Sequence, residues 1–185
     1  MNYQKINAFD IANGEGIRVS LFVSGCKFHC KGCFNPQAWD LYSGYLYTEK
    51  EEELILNRLK HPDFKGLSIL GGDPLWQDDD GLKQLISLCK KVHELGKDIW
   101  VWTGFTFEEI VLHENSLLFE LVENCDYLID GRFISDEKDL SIPWRGSTNQ
   151  RIIDINKTKE QLNSIINKEK DIKIWLNEPF IIEKE

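Results

Sequence analysis

Short apolar runs alternate with amphipathic stretches along most of this chain. Residues 17–23 alternate Ile, Val, Leu and Val with Arg, Ser and Phe, and this period of two predicts a half-buried strand. Further strands are predicted from short apolar runs at 67–70, 98–102, 127–130, 151–155 and 171–176.

Helices are predicted between these strands from capping boxes and from apolar residues that recur at helical spacing. Capping boxes of Thr48 with Glu51 and of Thr106 with Glu109 predict two helix starts, the first of a helix over 49–59. Helical spacing predicts a helix over 82–95, which ends at Gly96, and a further helix is predicted over 117–123. A last helix, capped by Thr158 with Gln161, is predicted to run to about 167.

Strands that alternate with helices indicate βαβ units and a mainly parallel sheet. About five or six strands are visible, too few for a closed eight-stranded barrel. We therefore expect an α/β fold, either a twisted sheet or an open, partial β/α barrel. No linker divides the chain, so a single domain is expected over 1–185, with a core at about 10–155 and a C-terminal βα extension at about 156–185.

Composition narrows the possible functions. The chain has 185 residues, of which 22 are Lys or Arg and 31 are Asp or Glu, and its formal net charge is −9. This balance argues against broad nucleic-acid binding, which needs a basic face. No apolar run is long enough to span a bilayer and the N-terminus shows no signal-peptide pattern, so a cytoplasmic protein without a membrane partner is expected.

Three of the five cysteines form one motif, C-x3-C-x2-C, made by Cys26, Cys30 and Cys33. Thiolates are soft ligands that suit zinc, copper(I) or an iron–sulfur cluster. A four-iron cluster or an all-cysteine zinc site usually takes four thiolates, so three ligands indicate a recruited fourth residue or an iron left open for substrate. His29 is the nearest candidate for a zinc site, but it adjoins Cys30, and ligation of one ion by both is sterically awkward.

The remaining cysteines and histidines show no metal-binding spacing. Cys89 and Cys125 are isolated, and each is interpreted as a small buried hydrophobe. His61, His93 and His113 are interpreted as surface or helix residues.

Gly71-Gly72-Asp73-Pro74 follows the second main strand. By itself it is typical of a tight turn in which glycine adopts positive φ. Its place opposite the cysteine loop also suits a backbone that approaches a ligand closely. Both interpretations stay open.

These motifs carry a family resemblance. C-x3-C-x2-C after the first strand, followed by G-G-D-P after the next, resembles the radical S-adenosylmethionine superfamily. The stretches DIANGEGIR at 10–18, WTG at 102–104 and WRGSTNQRIID at 144–154 narrow the resemblance to the activating enzymes of anaerobic (class III) ribonucleotide reductase. The resemblance covers residues from about 10 to 154.

The resemblance implies a fold, an activity and its cofactors. The fold is the partial barrel of the radical SAM type. Cys26, Cys30 and Cys33 would bind a [4Fe-4S] cluster whose fourth iron chelates S-adenosylmethionine. Reductive cleavage of S-adenosylmethionine would give a 5′-deoxyadenosyl radical that takes a hydrogen from a glycine of the reductase. The implied partners are that reductase and a one-electron reductant protein such as flavodoxin or a thioredoxin-type system.

The resemblance also implies cofactor contacts, residue by residue. Gly71, Gly72 and Asp73 would meet the methionine amino group mainly through backbone atoms. The remaining implied contacts with the cofactors are Gly32 and Phe34 on the adenine side, Cys33 between them, Thr103 and Gly104 at the next strand end, and Asp130. A core aromatic is the alternative for Phe34, and a strand-end turn is the alternative for Asp130.

Other functions remain open from the sequence. The superfamily also includes pyruvate formate-lyase activases and 7-carboxy-7-deazaguanine synthases, but the stretch at 145–151 favours the reductase activases. A non-catalytic zinc or electron-transfer module is a third possibility. The loop at 131–149, with Trp144 and Arg145, is either a docking surface or simple loop packing.

Overall fold

One mixed sheet forms the centre of the protein, of which a computed structural model describes residues 1–166 and Ile181. Its strands are β1 (Asn2–Asp10), β2 (Ile17–Val23), β3 (Tyr45–Leu46), β4 (Phe64–Gly71), β5 (Asp98–Trp102), β6 (Tyr127–Asp130) and β7 (Arg151–Asp154). They lie in the order β3-β1-β2-β4-β5-β6-β7. The strand predicted at 171–176 lies outside the described residues.

Parallel and antiparallel pairs both occur in this sheet. The pairs β2-β4, β4-β5 and β5-β6 are parallel, whereas β1-β2, β1-β3 and β6-β7 are antiparallel. The prediction of an α/β fold is confirmed, but the described sheet has seven strands rather than five or six, and half of its pairings are antiparallel. The pattern missed β1 and β3 because β1 buries only Asp10 and both residues of β3 are exposed, so neither strand shows apolar alternation.

The α-helices of the described residues are α1 (Glu49–Leu59), α2 (Asp79–Glu94), α3 (Phe107–Val111), α4 (Ser116–Glu123) and α5 (Ile155–Ile166). Both predicted capping boxes are present: Thr48 with Glu51 begins α1, and Thr106 with Glu109 begins α3. None of the helices that the structure describes is long and apolar enough to cross a membrane.

The start of α5 was predicted wrongly. The helix begins one turn before Thr158, directly after β7. The Asp154 carboxylate accepts the N–H of Lys157 at 2.9 Å, as an N-terminal cap does. Thr158 is buried inside the helix, and its hydroxyl donates to the carbonyl of Asp154 at 2.6 Å.

The two faces of the sheet are covered differently. Val19, Leu21 and Val23 point to one face and pack in a large apolar core with residues of α1, α2 and α4. The opposite face carries a small aromatic cluster around Trp100 and no helical residue among its described members. Loop segments at 10–16 and 131–150 cover part of this second face, which we call the helix-free face.

The prediction that β2 is half-buried was wrong, because residues 18–23 are all buried. Arg18 is fully buried on the helix-free face, where its guanidinium lies 2.6 Å from the Asp98 carboxylate. It also donates to the Ser68 hydroxyl at 2.7 Å and to the Leu67 carbonyl at 2.8 Å. A charge can be buried here because these groups replace the water that it loses.

Candidate cluster and cofactor site

A cavity of about 600 Å³ opens where β2, β4 and β5 end, and it extends over the helix-free face. The structure brings together in this cavity most of the residues implied by the resemblance: Cys26, Cys30, Cys33, Phe34, Gly71, Gly72, Asp73, Thr103 and Gly104. Gly32 and Asp130 do not belong to its lining. Convergence of the loops follows from the parallel pairing, which sends the carboxyl ends of these strands to one edge.

The cysteine loop leaves β2 and is fixed by backbone hydrogen bonds to the segment that follows it. The N–H of Gly25 donates to the carbonyl of Ala38 at 2.8 Å, and the N–H of Cys26 donates to that of Trp39 at 3.0 Å. Within the loop, the N–H of Cys33 donates to the carbonyl of Cys30 at 3.1 Å. The three thiols are therefore presented by a closed loop rather than by an extended chain.

The environment of the thiols sets their proton affinity. Burial, reinforced by the Asp73 carboxylate, raises the pKa of Cys26 to about 11. Hydrogen bonds from the N–H groups of Phe28 and His29 oppose this shift, because they favour the thiolate. Burial and the neighbouring Cys33 likewise raise the pKa of Cys30. Without a metal these two thiols stay protonated at neutral pH, and metal binding must displace their protons.

Backbone N–H groups already face the sulfurs. The N–H of Asn35 donates to Sγ of Cys33 at 3.3 Å. N–H groups also act on Cys26, from Phe28 and His29, and on Cys30, from Phe133. Hydrogen bonds of this kind stabilise the thiolate ligands of an iron–sulfur cluster and tune its potential.

The donor set fits a cluster better than a single ion. A mononuclear zinc site needs its ligands to converge at about 2.3 Å from one point. Among the described residues, no three His, Cys, Asp or Glu side chains are gathered in that way. A four-iron cube is several atoms wide and keeps its thiolates apart. His29, the zinc alternative, instead stacks on the ring of Trp39, with the ring centroids 4.4 Å apart.

The Gly71–Asp73 turn is attached directly to the start of the cysteine loop. The N–H of Gly72 donates to the carbonyl of Val23 at 2.8 Å, and the N–H of Asp73 donates to that of Gly25 at 2.6 Å. A Cβ on Gly72 would lie 2.5 Å from the carbonyl oxygen of Gly25, so glycine is required for this approach. Because both N–H groups are occupied, carbonyl oxygens are the groups of this turn whose polarity suits a ligand ammonium.

The side chain of Asp73 joins this turn to the next strand end. Its carboxylate accepts the N–H of Gly104 at 2.7 Å, the N–H of Leu75 at 2.9 Å and the Thr103 hydroxyl at 3.0 Å. Burial raises the pKa of Asp73 to about 6, although these three donors act in the opposite direction. The carboxylate thus holds two loops of the cavity together. The backbone of Asp73 is also used within the fold, because its carbonyl accepts the N–H of Trp76 at 3.0 Å.

Gly104 allows the β5 loop to pack on the cysteine loop. A Cβ on Gly104 would lie 2.5 Å from the ring of Phe28. Phe28 also makes an edge contact with Phe105, at 4.9 Å between ring centroids. Phe28 was not singled out from the sequence, because its role depends on a contact 76 positions away that no local pattern encodes.

Phe34 and Gly32 flank the third cysteine in different ways. Phe34 lines the cavity, is 54% exposed and packs against Phe133, with ring centroids 5.0 Å apart. The alternative of a core aromatic is therefore wrong. Gly32 has a φ of +75°, and its nearest neighbour in the direction of a Cβ is the Ser135 hydroxyl, so it faces the 131–137 segment.

Asp130 is buried in an ion pair rather than directed at the cavity. Its carboxylate accepts Nε of Arg151 at 3.0 Å and the N–H of Phe107 at 2.8 Å. Arg151 also donates to Glu108 at 2.9 Å and thereby links β7 to α3. The role of Asp130 as a cofactor contact stays a prediction, and these contacts favour the structural alternative.

Several lining residues were missed by sequence reasoning. They include Ala12 and Asn13 before β2, Phe22 and Leu70 on the helix-free face, Trp102 at the end of β5, and Leu140 and Ile142 in the 131–150 segment. Trp144, considered as a docking anchor, packs against Trp100 with ring centroids 4.8 Å apart, and its carbonyl accepts Nε1 of Trp102 at 2.8 Å. These contacts favour loop packing for Trp144.

Comparison with known proteins agrees with this site. The profile of the family described as "4Fe-4S single cluster domain" matches residues 12–153. The anaerobic ribonucleoside-triphosphate reductase-activating protein of Vibrio cholerae is 42% identical over 156 residues, which cover 82% of this chain and 97% of that protein.

Two further relatives carry the same name. The Escherichia coli K12 protein is 40% identical over 154 residues, covering 81% of this chain and 96% of its own length. The protein of Enterobacteria phage T4 is 39% identical over 155 residues, which cover 82% of this chain and 93% of that protein. The chain therefore belongs to the 4Fe-4S single cluster domain family and, within it, to the family of anaerobic ribonucleoside-triphosphate reductase-activating proteins.

Proposed function

We propose that this chain is a radical S-adenosylmethionine activase that generates a glycyl radical on anaerobic ribonucleotide reductase. The observation that carries this function is the meeting, in one cavity, of three free cysteines with the Gly71–Asp73 turn and the Thr103–Gly104 strand end. Family membership supplies the class of reaction, and the cavity supplies a place for it.

Cys26, Cys30 and Cys33 hold the [4Fe-4S] cluster in this proposal. When bound, the cluster supplies the electron that splits S-adenosylmethionine into methionine and a 5′-deoxyadenosyl radical, which takes a hydrogen from a glycine of the reductase. The chain contributes thiolates in a closed loop, N–H groups that stabilise them, and a partly enclosed cavity that limits access of water.

The other residues of the cavity orient S-adenosylmethionine. Carbonyl oxygens of Gly71 and Gly72 accept from its ammonium group, since the N–H groups of Gly72 and Asp73 are used within the fold. Phe34, exposed at the cavity wall, offers an aromatic surface to the adenine. Thr103 acts through Asp73 and keeps the turn in position. Gly32, Gly104 and Asp130 are proposed in the same way to shape the loops around these groups.

The sheet is proposed to be the open, partial β/α barrel of the radical SAM type, built from one domain that spans 1–185. Four consecutive parallel strands, with helices packed on one face and the cavity on the other, support this architecture. The helix-free face would then be the interior of the partial barrel.

The reductase is proposed to approach over the apolar mouth of the cavity. Leu140 is 72% exposed and Phe34 is 54% exposed, yet both line the cavity that contains the cysteines. A macromolecular substrate that reaches into this cavity covers both side chains. We further propose that a one-electron reductant protein serves this chain, and that the chain is cytoplasmic and has no nucleic-acid or membrane partner. The net charge of −9 supports the exclusion of nucleic acid.

Transfer of a labelled hydrogen tests this function. The anaerobically reconstituted chain is incubated with S-adenosylmethionine, a reductant and a reductase prepared with α-deuterated glycine, and the 5′-deoxyadenosine is analysed by mass spectrometry. We expect deuterium in this product with the native chain and no cleavage with Cys33→Ala. Unlabelled 5′-deoxyadenosine in the presence of a competent, labelled reductase would exclude glycine as the hydrogen donor.

A further inference from the structure

The cysteine loop is locally basic in an acidic protein. The chain has 31 acidic residues against 22 Lys and Arg, but none of the acidic residues falls between Gly16 and Trp39. Lys27 and Lys31 lie in this interval, each beside a cysteine of the motif, and both side chains are exposed. The region that would hold the cluster therefore has the opposite charge to the protein as a whole.

A third cation joins this surface from a distant part of the chain. Arg132, in the segment after β6, lies over the ring of Phe28, with its guanidinium carbon 4.5 Å from the ring centroid. Lys27 lies over the ring of Trp76 at 5.0 Å from the centroid. Each of these contacts holds an exposed cation at a fixed place around the cysteine loop. We call Lys27, Lys31 and Arg132 the basic cysteine face.

Three acidic residues follow Arg132: Asp136 and Glu137 lie in the turn Ser135–Glu137, and the Asp139 carboxylate accepts the N–H and the hydroxyl of Ser141. The carboxylate of Glu137 accepts the Thr148 hydroxyl at 3.3 Å, and its carbonyl accepts the N–H of Thr148 at 2.9 Å. Glu137 is thus held by the 131–150 segment itself. Lys27 and Arg132 are instead held on the rings of Trp76 and Phe28, which pack at the cysteine loop.

We propose that the basic cysteine face is the docking surface for an acidic one-electron carrier protein, which reduces the cluster. The proposal rests on the proposed function in requiring a cluster on the three cysteines. The carrier loses one electron and the cluster gains it, with no bond formed or broken. Cations beside the metal centre attract a negatively charged carrier and orient it where the distance for electron transfer is short.

Reduction kinetics separate docking from other effects. Reduction of the reconstituted chain is followed by stopped flow with two donors: reduced flavodoxin, an acidic carrier protein, and photoreduced 5-deazariboflavin, which is uncharged. The test variant is K27E/K31E/R132E. The control is K50E/K60E/K83E, which changes the net charge equally but alters exposed lysines of α1, its C-terminal end and α2.

We expect the ratio of the flavodoxin rate to the deazariboflavin rate to fall at least about tenfold in the test variant at low salt, and less than about twofold in the control. The difference should shrink toward unity at about 1 M salt, where screening removes steering. Each rate is normalised to the iron content, so that incomplete loading does not imitate the effect. The single variant K31E, which alters only one exposed side chain, should show a smaller fall of the same kind.

Three results would overturn the proposal. The first is an equal ratio in the test variant and the native chain, and the second is an equal loss in the control, which would indicate net charge alone. The third is an equal loss with both donors, which would indicate altered cluster chemistry rather than docking. The assay contains neither reductase nor S-adenosylmethionine, so its outcome is separate from that of the deuterium transfer experiment.

Discussion

The Thr103 hydroxyl lies 3.0 Å from both carboxylate oxygens of Asp73 and joins two loops that come from different strands. Asp73 belongs to the turn after β4, and Thr103 follows β5. Asp73 is 1% exposed and Thr103 is 4% exposed, so no solvent replaces this contact when it is lost. The geometry of the Gly71–Asp73 turn therefore depends on a residue 30 positions away.

Thr103→Val tests this dependence. The substitution keeps the shape of the side chain but removes one donor from a buried carboxylate, which should lower the free energy of unfolding by about 1–3 kcal/mol. Because the turn loses its support, binding of S-adenosylmethionine to the reconstituted chain should also weaken. Urea unfolding of the metal-free chain and calorimetric titration of the loaded chain measure the two effects.

Thr103→Ser is the matched control, because it keeps the hydroxyl. It should retain most of the stability and of the binding. If the valine variant binds S-adenosylmethionine as tightly as the native chain, Thr103 does not position the turn.

The three motif cysteines should be individually required for the cluster. Cys26→Ala, Cys30→Ala and Cys33→Ala each leave two thiolates to hold the cluster. One cluster contains about four irons and as many sulfides, and each variant should bind far less of both. Cys89→Ala and Cys125→Ala are the controls, because both side chains are buried in the apolar core. Iron and sulfide analysis after anaerobic reconstitution checks this. A full cluster in any motif variant would refute the ligand assignment.

The ion pair of the buried Arg18 with the partly exposed Asp98 should contribute strongly to stability. Asp98→Ala leaves the fully buried guanidinium of Arg18 without its carboxylate, and the expected loss is about 3–5 kcal/mol in the free energy of unfolding. Asp63→Ala, at an exposed acid, should change it by less than about 0.5 kcal/mol. Urea unfolding compares the two. Equal small effects would mean that solvent or another group compensates Arg18.

The apolar mouth of the cavity should matter for transfer to the reductase. Leu140→Asp places a charge where a partner must be desolvated, so the ratio of glycyl radical to 5′-deoxyadenosine should fall about tenfold. Leu112→Asp is the control, because Leu112 is 76% exposed but does not belong to the cavity lining. Parallel assays of the radical and of the nucleoside give the ratio. A similar ratio in both variants would show that the partner does not cover Leu140.

Local sequence signals predicted the elements that depend on local interactions. The boxes of Thr48 with Glu51 and Thr106 with Glu109 marked the starts of α1 and α3, because a capping box is complete within four residues. The loops that end β2, β4 and β5 were recognised as site loops, and parallel pairing brings them together.

Features that depend on distant partners could not be predicted in the same way. Arg18 occupies a position that the alternation predicts to be exposed, and its burial depends on distant partners such as Asp98, Ser68 and Leu67. Asp130 has the position of a cofactor contact at a strand end, but its carboxylate accepts a hydrogen bond from Arg151, which is 21 positions away. Trp144 has the composition of a docking residue, whereas Trp100 and Trp102 hold it on the sheet.

Formation of a glycyl radical is the most direct test of the proposed activity. The reconstituted chain is incubated without oxygen with anaerobic ribonucleotide reductase, S-adenosylmethionine and a reductant, and the mixture is examined by electron paramagnetic resonance. We predict a glycyl radical signal on the reductase that requires every component and is absent with Cys26→Ala. A chain that carries a complete cluster and cleaves S-adenosylmethionine, yet gives no such signal with a reductase that another activase can activate, would contradict the account.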